Sequence, residues 1–186
     1  MRQLLFYIQV SNPRVINCEK QVCNDLFDAA ELLFPLFTEK AFMVWNGIWL
    51  PIDYKYDLCV ILEDILYFLN LIMNDEAGFV KVCFGSDTFQ ADWNIRWKED
   101  LLEIQSVWNS IHGGKEILVA LNNSPNITMS KNQFISEWKG LLSKIVHAIR
   151  ESGLKFIDQQ SYMLLQDLEK KIPQEGCLYN PHFEII

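Results

Sequence analysis

The stretch "FQADWNIRW", Phe89–Trp97, constrains the fold more than any other part of the chain. Its odd positions are Phe89, Ala91, Trp93, Ile95 and Trp97, all apolar and mostly aromatic. Its even positions are Gln90, Asp92, Asn94 and Arg96. A strict period of two marks a β-strand with one buried face, because successive side chains point to opposite sides of the sheet. Trp93 and Trp97 are therefore expected in a core and the Gln90–Arg96 row outside. What that polar row meets is the functional question.

Short turns flank this strand and link it to similar segments. Phe79–Phe84, Thr88–Trp97, Leu101–Trp108 and Glu116–Leu121 alternate or run apolar, separated by Gly-Ser-Asp, Lys-Glu-Asp and His-Gly-Gly-Lys. Consecutive strands joined this way form an antiparallel meander; over 101–111 a helix remains an alternative. Leu4–Val10 reads as a first strand ended by Ser11-Asn12-Pro13. "FMVWNGIWLPI" reads as a hairpin, since Asn46-Gly47 tolerates the positive φ of a two-residue turn. Pro51 cannot donate to a ladder and places the second arm at a sheet edge.

Four helices are expected. Asn17 can cap the first, with Val22, Leu26, Phe27, Ala30, Leu33 and Phe34 on one face and Pro35 ending it. Asp57 can cap the second, about 57–73, which is apolar nearly all round, so Glu63 and Asp64 must emerge at one side or find partners. Ser130 and Gln133 form a capping-box pattern before a face of Phe134, Trp138, Leu141, Leu142, Ile145 and Ile149, with Gly153 at C′. The fourth, about 158–171, stops before Pro173, and residues 174–186 remain as a tail. The expectation is one α+β domain over residues 1–186: an antiparallel sheet, hairpin plus meander, packed on one side by about four helices. At 186 residues, half of them apolar, the chain can bury a sizeable core.

The 16 Lys and Arg residues are outnumbered by 24 Asp and Glu, giving a net charge of −8. Such a field repels phosphate backbones and anionic membrane surfaces and favours encounter with basic partners, besides keeping a chain soluble. Neither nucleic acid nor a membrane is expected as a partner. The apolar run Leu4–Ile8 is too short for a signal peptide, and Leu58–Met73 is interrupted by Glu63, Asp64 and Asn70. The expected location is the cytoplasm, where the Asn126-Ile127-Thr128 sequon carries no meaning. Five cysteines (Cys18, Cys23, Cys59, Cys83 and Cys177) include no C-x-x-C pair; Cys59 and Cys83 are expected as ordinary buried thiols in a reducing compartment.

No catalytic pattern stands out. G-x-S-x-G, Walker-type, G-x-G-x-x-G and H-E-x-x-H sequences are all missing. His112 lies in "SIHGGKE" and reads as a hairpin turn, His147 as a solvated helix residue, and His182 falls in the tail. Glu63-Asp64, Asp75-Glu76 and Glu99-Asp100 are adjacent pairs, which do not face each other on a helix and point to opposite faces on a strand. No catalytic, cofactor-binding or metal-ligating residue is assigned. The aromatic rings lie on the apolar side of their patterns, which argues against base stacking. Protein binding remains, with Asp92 and Arg96 on the outer row and Asp87, Glu99 and Asp100 at its corners as the candidate contacts.

With these segments laid out, "DTFQADWNIRW" and "ITMSKNQFISEWKGLLSKIVHAIRESG" resemble the small cytosolic immunity proteins encoded beside polymorphic bacterial toxins, particularly those of contact-dependent growth inhibition systems. The likeness implies an antitoxin that binds the C-terminal domain of a cognate basic toxin, often a nuclease and here favoured as an RNase, and neutralises it by stoichiometric occlusion. That family shares no catalytic motif, so no residue role is carried over. Two other readings stay open: an enzyme of unrecognised type with its site near His112, and a homo-oligomeric module using Trp45 and Trp49 as its contact.

Overall fold

The computed structural model describes residues 5–173 and is an α+β domain. In chain order its elements are β1 (Phe6–Gln9), β2 (Val22–Cys23), α1 (Leu26–Leu33), β3 (Ala41–Trp45), β4 (Ile48–Ile52), α2 (Tyr56–Asn74), β5 (Ala77–Ser86), β6 (Phe89–Lys98) and β7 (Leu101–Ile111). There follow α3 (Lys115–Asn123), β8 (Asn126–Ser130), α4 (Lys131–Glu137), α5 (Lys139–Ser152), β9 (Lys155–Phe156) and α6 (Gln160–Lys171). The expected tail, 174–186, with Cys177 and His182, lies outside the described residues.

Hairpin and meander occupy separate sheets. β1, β3 and β4 form one antiparallel sheet, with Asn46 at φ +49° and Gly47 at φ +83° making the expected turn. β5, β6, β7 and β8 form the other in sequential order, while β2 and β9 pair in parallel at the periphery. The inner faces of the two main sheets meet through indoles: Trp45 lies 5.0 Å from Trp93 and 5.4 Å from Trp108, centroid to centroid. Phe68 of α2, Phe134 of α4 and Trp138 close the same cluster, with Phe68 5.5 Å from Trp138. Trp93 is fully buried and Trp97 nearly so, as the alternation requires. Each such ring contributes about 2–3 kcal/mol of burial.

Several boundaries differ from expectation. The first helix begins at Leu26, not after Asn17, because the Asp25 carboxylate accepts from the Asp28 amide at 3.0 Å while Cys23 is held in the short parallel pair with β9. Asp53, not Asp57, caps α2, accepting from the Lys55 and Tyr56 amides at 2.9 and 3.0 Å. Residues 101–111 form a strand, which removes the helical alternative. Glu116–Leu121 belongs to helix α3, and the fourth strand is β8 instead. The Ser130 helix is two: its capping box forms, with Ser130 Oγ accepting from the Gln133 amide at 3.2 Å, but the chain turns at Trp138 before α5 continues to Gly153 at φ +70°. Six helices replace four for these two reasons.

β7 outruns β8, and the remaining edge is closed by a side chain. Asn122 of α3 accepts from the Trp108 amide and donates to its carbonyl, both at 2.9 Å, so its amide group imitates a neighbouring strand.

Candidate functional site

The burial alternation places the outer row of β6 in solvent, and its neighbours make it a trough. Asn94 and Arg96 of β6, Glu103 and Gln105 of β7, and Asn126 and Thr128 of β8 line a concavity of about 580 Å³ with Phe79 of β5 at its side. Registers explain the grouping: Arg96 faces Glu103 on one side and Phe79 on the other, Asn94 faces Gln105, and Glu103 faces Thr128. The Arg96 guanidinium carbon sits 5.4 Å from the centre of the Phe79 ring, a cation–π contact that orients it. The side chains of Asn94, Glu103, Gln105, Asn126 and Thr128 have no hydrogen-bond partner among the described residues. Uncommitted donors and acceptors on one concave face can take up a partner's polar groups without first breaking bonds of their own.

The five residues singled out from the sequence do not converge. Asp92 and Arg96 share the outer face, where Asp92 lies 3.8 Å from Lys81 in an exposed ion pair. Asp92 also hydrogen-bonds the Cys83 thiol and holds its pKa above the usual value. Cys83 is exposed on this face, not buried as expected, because strand parity turns it away from the core. Asp87 is in the β5–β6 turn and Glu99 in the β6–β7 turn, at opposite ends of a ten-residue strand, about 33 Å apart. Asp100 is engaged within the fold: its carboxylate accepts from Ser130 Oγ at 2.8 Å and the Asn132 amide at 3.0 Å, at the start of α4. Glu99 adopts φ +54° in that turn. The trough residues Asn126 and Thr128 were not foreseen, since β8 itself was not; Phe79, Glu103 and Gln105 lie on strands that were expected, but were not singled out.

A second surface adjoins the first. α2 exposes Tyr56, Val60, Glu63 and Tyr67, with Asp64 partly exposed among them. Glu63 and Asp64 do emerge at one side, and neither pairs with a cation among the described residues. Burial, then the charge of Glu63, pushes the Asp64 carboxyl above its usual pKa.

His112 follows β7, exposed, its amide bonded to the Thr88 carbonyl at 2.8 Å; the turn leads into α3 and is not a hairpin. His147 is exposed beside Glu151 at 3.1 Å. Trp45 is fully buried, leaving only Trp49, about half exposed, of the two indoles offered as an oligomer contact. Among the described residues no group of three or more His, Cys, Asp or Glu is arranged to hold a metal ion, and no helix is long and apolar enough to cross a membrane. Compared with known proteins, the chain matches no family model, no curated protein and no solved structure.

Proposed function

We propose that this chain is an immunity protein that binds a basic toxin domain, a nuclease and by preference an RNase, and neutralises it by occlusion. The supporting observation is the outer face of the four-stranded sheet, a trough of about 580 Å³ whose polar side chains are free to bond a partner. The net charge of −8 adds attraction toward a surface built to hold phosphates. Co-expression with the toxin domain encoded immediately upstream tests the reading. The expected result is a stoichiometric complex that protects the host from the toxin and weakens as salt rises, because screening acts on exposed charges. Failure of the pair to associate at micromolar concentration overturns it.

A further inference from the structure

Arg96 of β6 and Glu103 of β7 carry opposite charges and stand directly opposite each other, both exposed. Facing charges of opposite sign on neighbouring strands ordinarily pair. These two do not: no ion pair joins them, and the Arg96 guanidinium lies on the ring of Phe79, its neighbour on the other flanking strand. The other cation beside the trough behaves differently, since Lys81 lies 3.8 Å from Asp92. The Glu103 carboxylate has no hydrogen-bond or ion-pair partner among the described residues, and neither has the Thr128 side chain on its far flank. An exposed ion pair adds little to stability, so leaving it open costs the fold little.

The trough therefore presents a cation and an anion separately, side by side. In the adjoining row Asn94 faces Gln105, and each side chain holds unused donors and an unused acceptor. That combination matches the N–H and C=O groups of a polypeptide main chain. A phosphate polymer offers nothing to Glu103 and is repelled by a chain of net charge −8. The occupant that fits is a segment of protein with one acidic and one basic side chain close together.

We infer that the trough holds its partner through a split charge pair. An Asp or Glu of the partner binds Arg96, a Lys or Arg binds Glu103, and the main chain between them bonds to Asn94 and Gln105. Exclusion of water by the partner strengthens both charged contacts. This rests on the reading of the partner as a toxin domain and names the contact that selects it. Net charge governs the speed of approach, and the sign pattern of the trough decides which surface is kept.

Titration calorimetry with the toxin domain encoded immediately upstream, on Arg96→Glu, Glu103→Arg and the two together, tests it. Arg96→Glu makes the chain more acidic, Glu103→Arg makes it less so, and the exchange of both restores −8. Attraction of a basic partner by net charge alone predicts tighter binding for the first, weaker for the second and no change for the third. The split pair predicts weakening by at least about tenfold for each single reversal and for the exchange. Should a reversal fail to fold, Arg96→Gln and Glu103→Gln, which oppose no like charges, are each expected to weaken association about fivefold. Parent affinity in the exchange variant overturns the split pair and leaves the immunity reading standing; no complex with the unaltered chain overturns both. A free chain that sediments as a dimer until either reversal dissociates it assigns the face to a second copy and overturns the proposal.

Discussion

Glu137 offers the sharpest test of how this core is built. It ends α4 almost fully buried, 2% exposed, beside the aromatic cluster of Phe134 and Trp138. Its carboxylate meets the Ile8 main chain, whose N–H lowers the pKa, but desolvation is the larger effect and raises it to about 7 from 4.5. Oε2 has no partner among the described residues. The native state therefore still holds a proton that the unfolded chain has released between pH 4.5 and 7. Stability is complete below that window and falls as pH rises through it. A shift of that size is worth about 3 kcal/mol. Glu137→Gln keeps an acceptor for the Ile8 N–H and abolishes the titration. It should match or slightly trail the parent at pH 5, because its amide donors lack acceptors, and exceed it by roughly 2 kcal/mol at pH 8. Urea denaturation of both proteins at pH 5, 6, 7 and 8 reads the difference. If the two stabilities change in parallel across that range, Glu137 is not buried as described and the reasoning fails.

Four further outcomes follow from local geometry. Asp57→Ala strands the Asp53 amide (2.7 Å), Ser86 Oγ (2.5 Å) and Thr88 Oγ1 (2.6 Å), which all donate to its carboxylate; a loss of about 3 kcal/mol is expected by urea denaturation. Gly78→Ala puts a Cβ 2.3 Å from Trp97 Cζ2, in a ring fixed by its N–H bond to the Asp75 carbonyl at 3.1 Å, and should cost about 2 kcal/mol in thermal or chemical unfolding. Gly153→Ala combines a left-handed φ of +70° with a Cβ 2.9 Å from Glu19 Cγ, for a loss of about 1–2 kcal/mol in the same measurement. Replacing Asn94, Gln105 and Thr128 together by Ala should change stability by under about 1 kcal/mol while weakening toxin association about tenfold in titration calorimetry.

What could be read from the residues was whatever a short-range period or a turn chemistry dictates. The alternation in 89–97 fixed which side of β6 is buried, because a one-residue slip would expose every indole. Asn46-Gly47 and the Ser130–Gln133 box set their local geometry through φ preference and a single hydrogen bond. "EILVAL" defeated the same approach. A short apolar run has no period that separates a strand from a buried helix, and here only Leu121 is fully buried, with Ile117 beside it on one helical face. Asn-Asn-Ser-Pro before "NITMS" has the composition of a loop, yet Ile127 and Met129 alternate inward once β7 provides a ladder.

The same limit explains why the candidate face was half legible. Periodicity reports the direction in which Asp92, Asn94 and Arg96 point, but not what stands next to them. Asn126 and Thr128 reach the trough from more than thirty residues away, through the pairing of β8 with β7. Charged residues at turns drew attention because they look available, and Asp100 proves already engaged in capping α4. The informative residues are instead neutral amides on strands, whose only distinguishing property is that nothing within the fold bonds them. That property exists only after the chain has closed, since it is a statement about every neighbour at once. A search of strand sequences for outward-facing Asn, Gln and Thr at matching register would find such faces wherever pairing is known, and would miss them wherever, as with β8, a strand is hidden behind loop-forming residues.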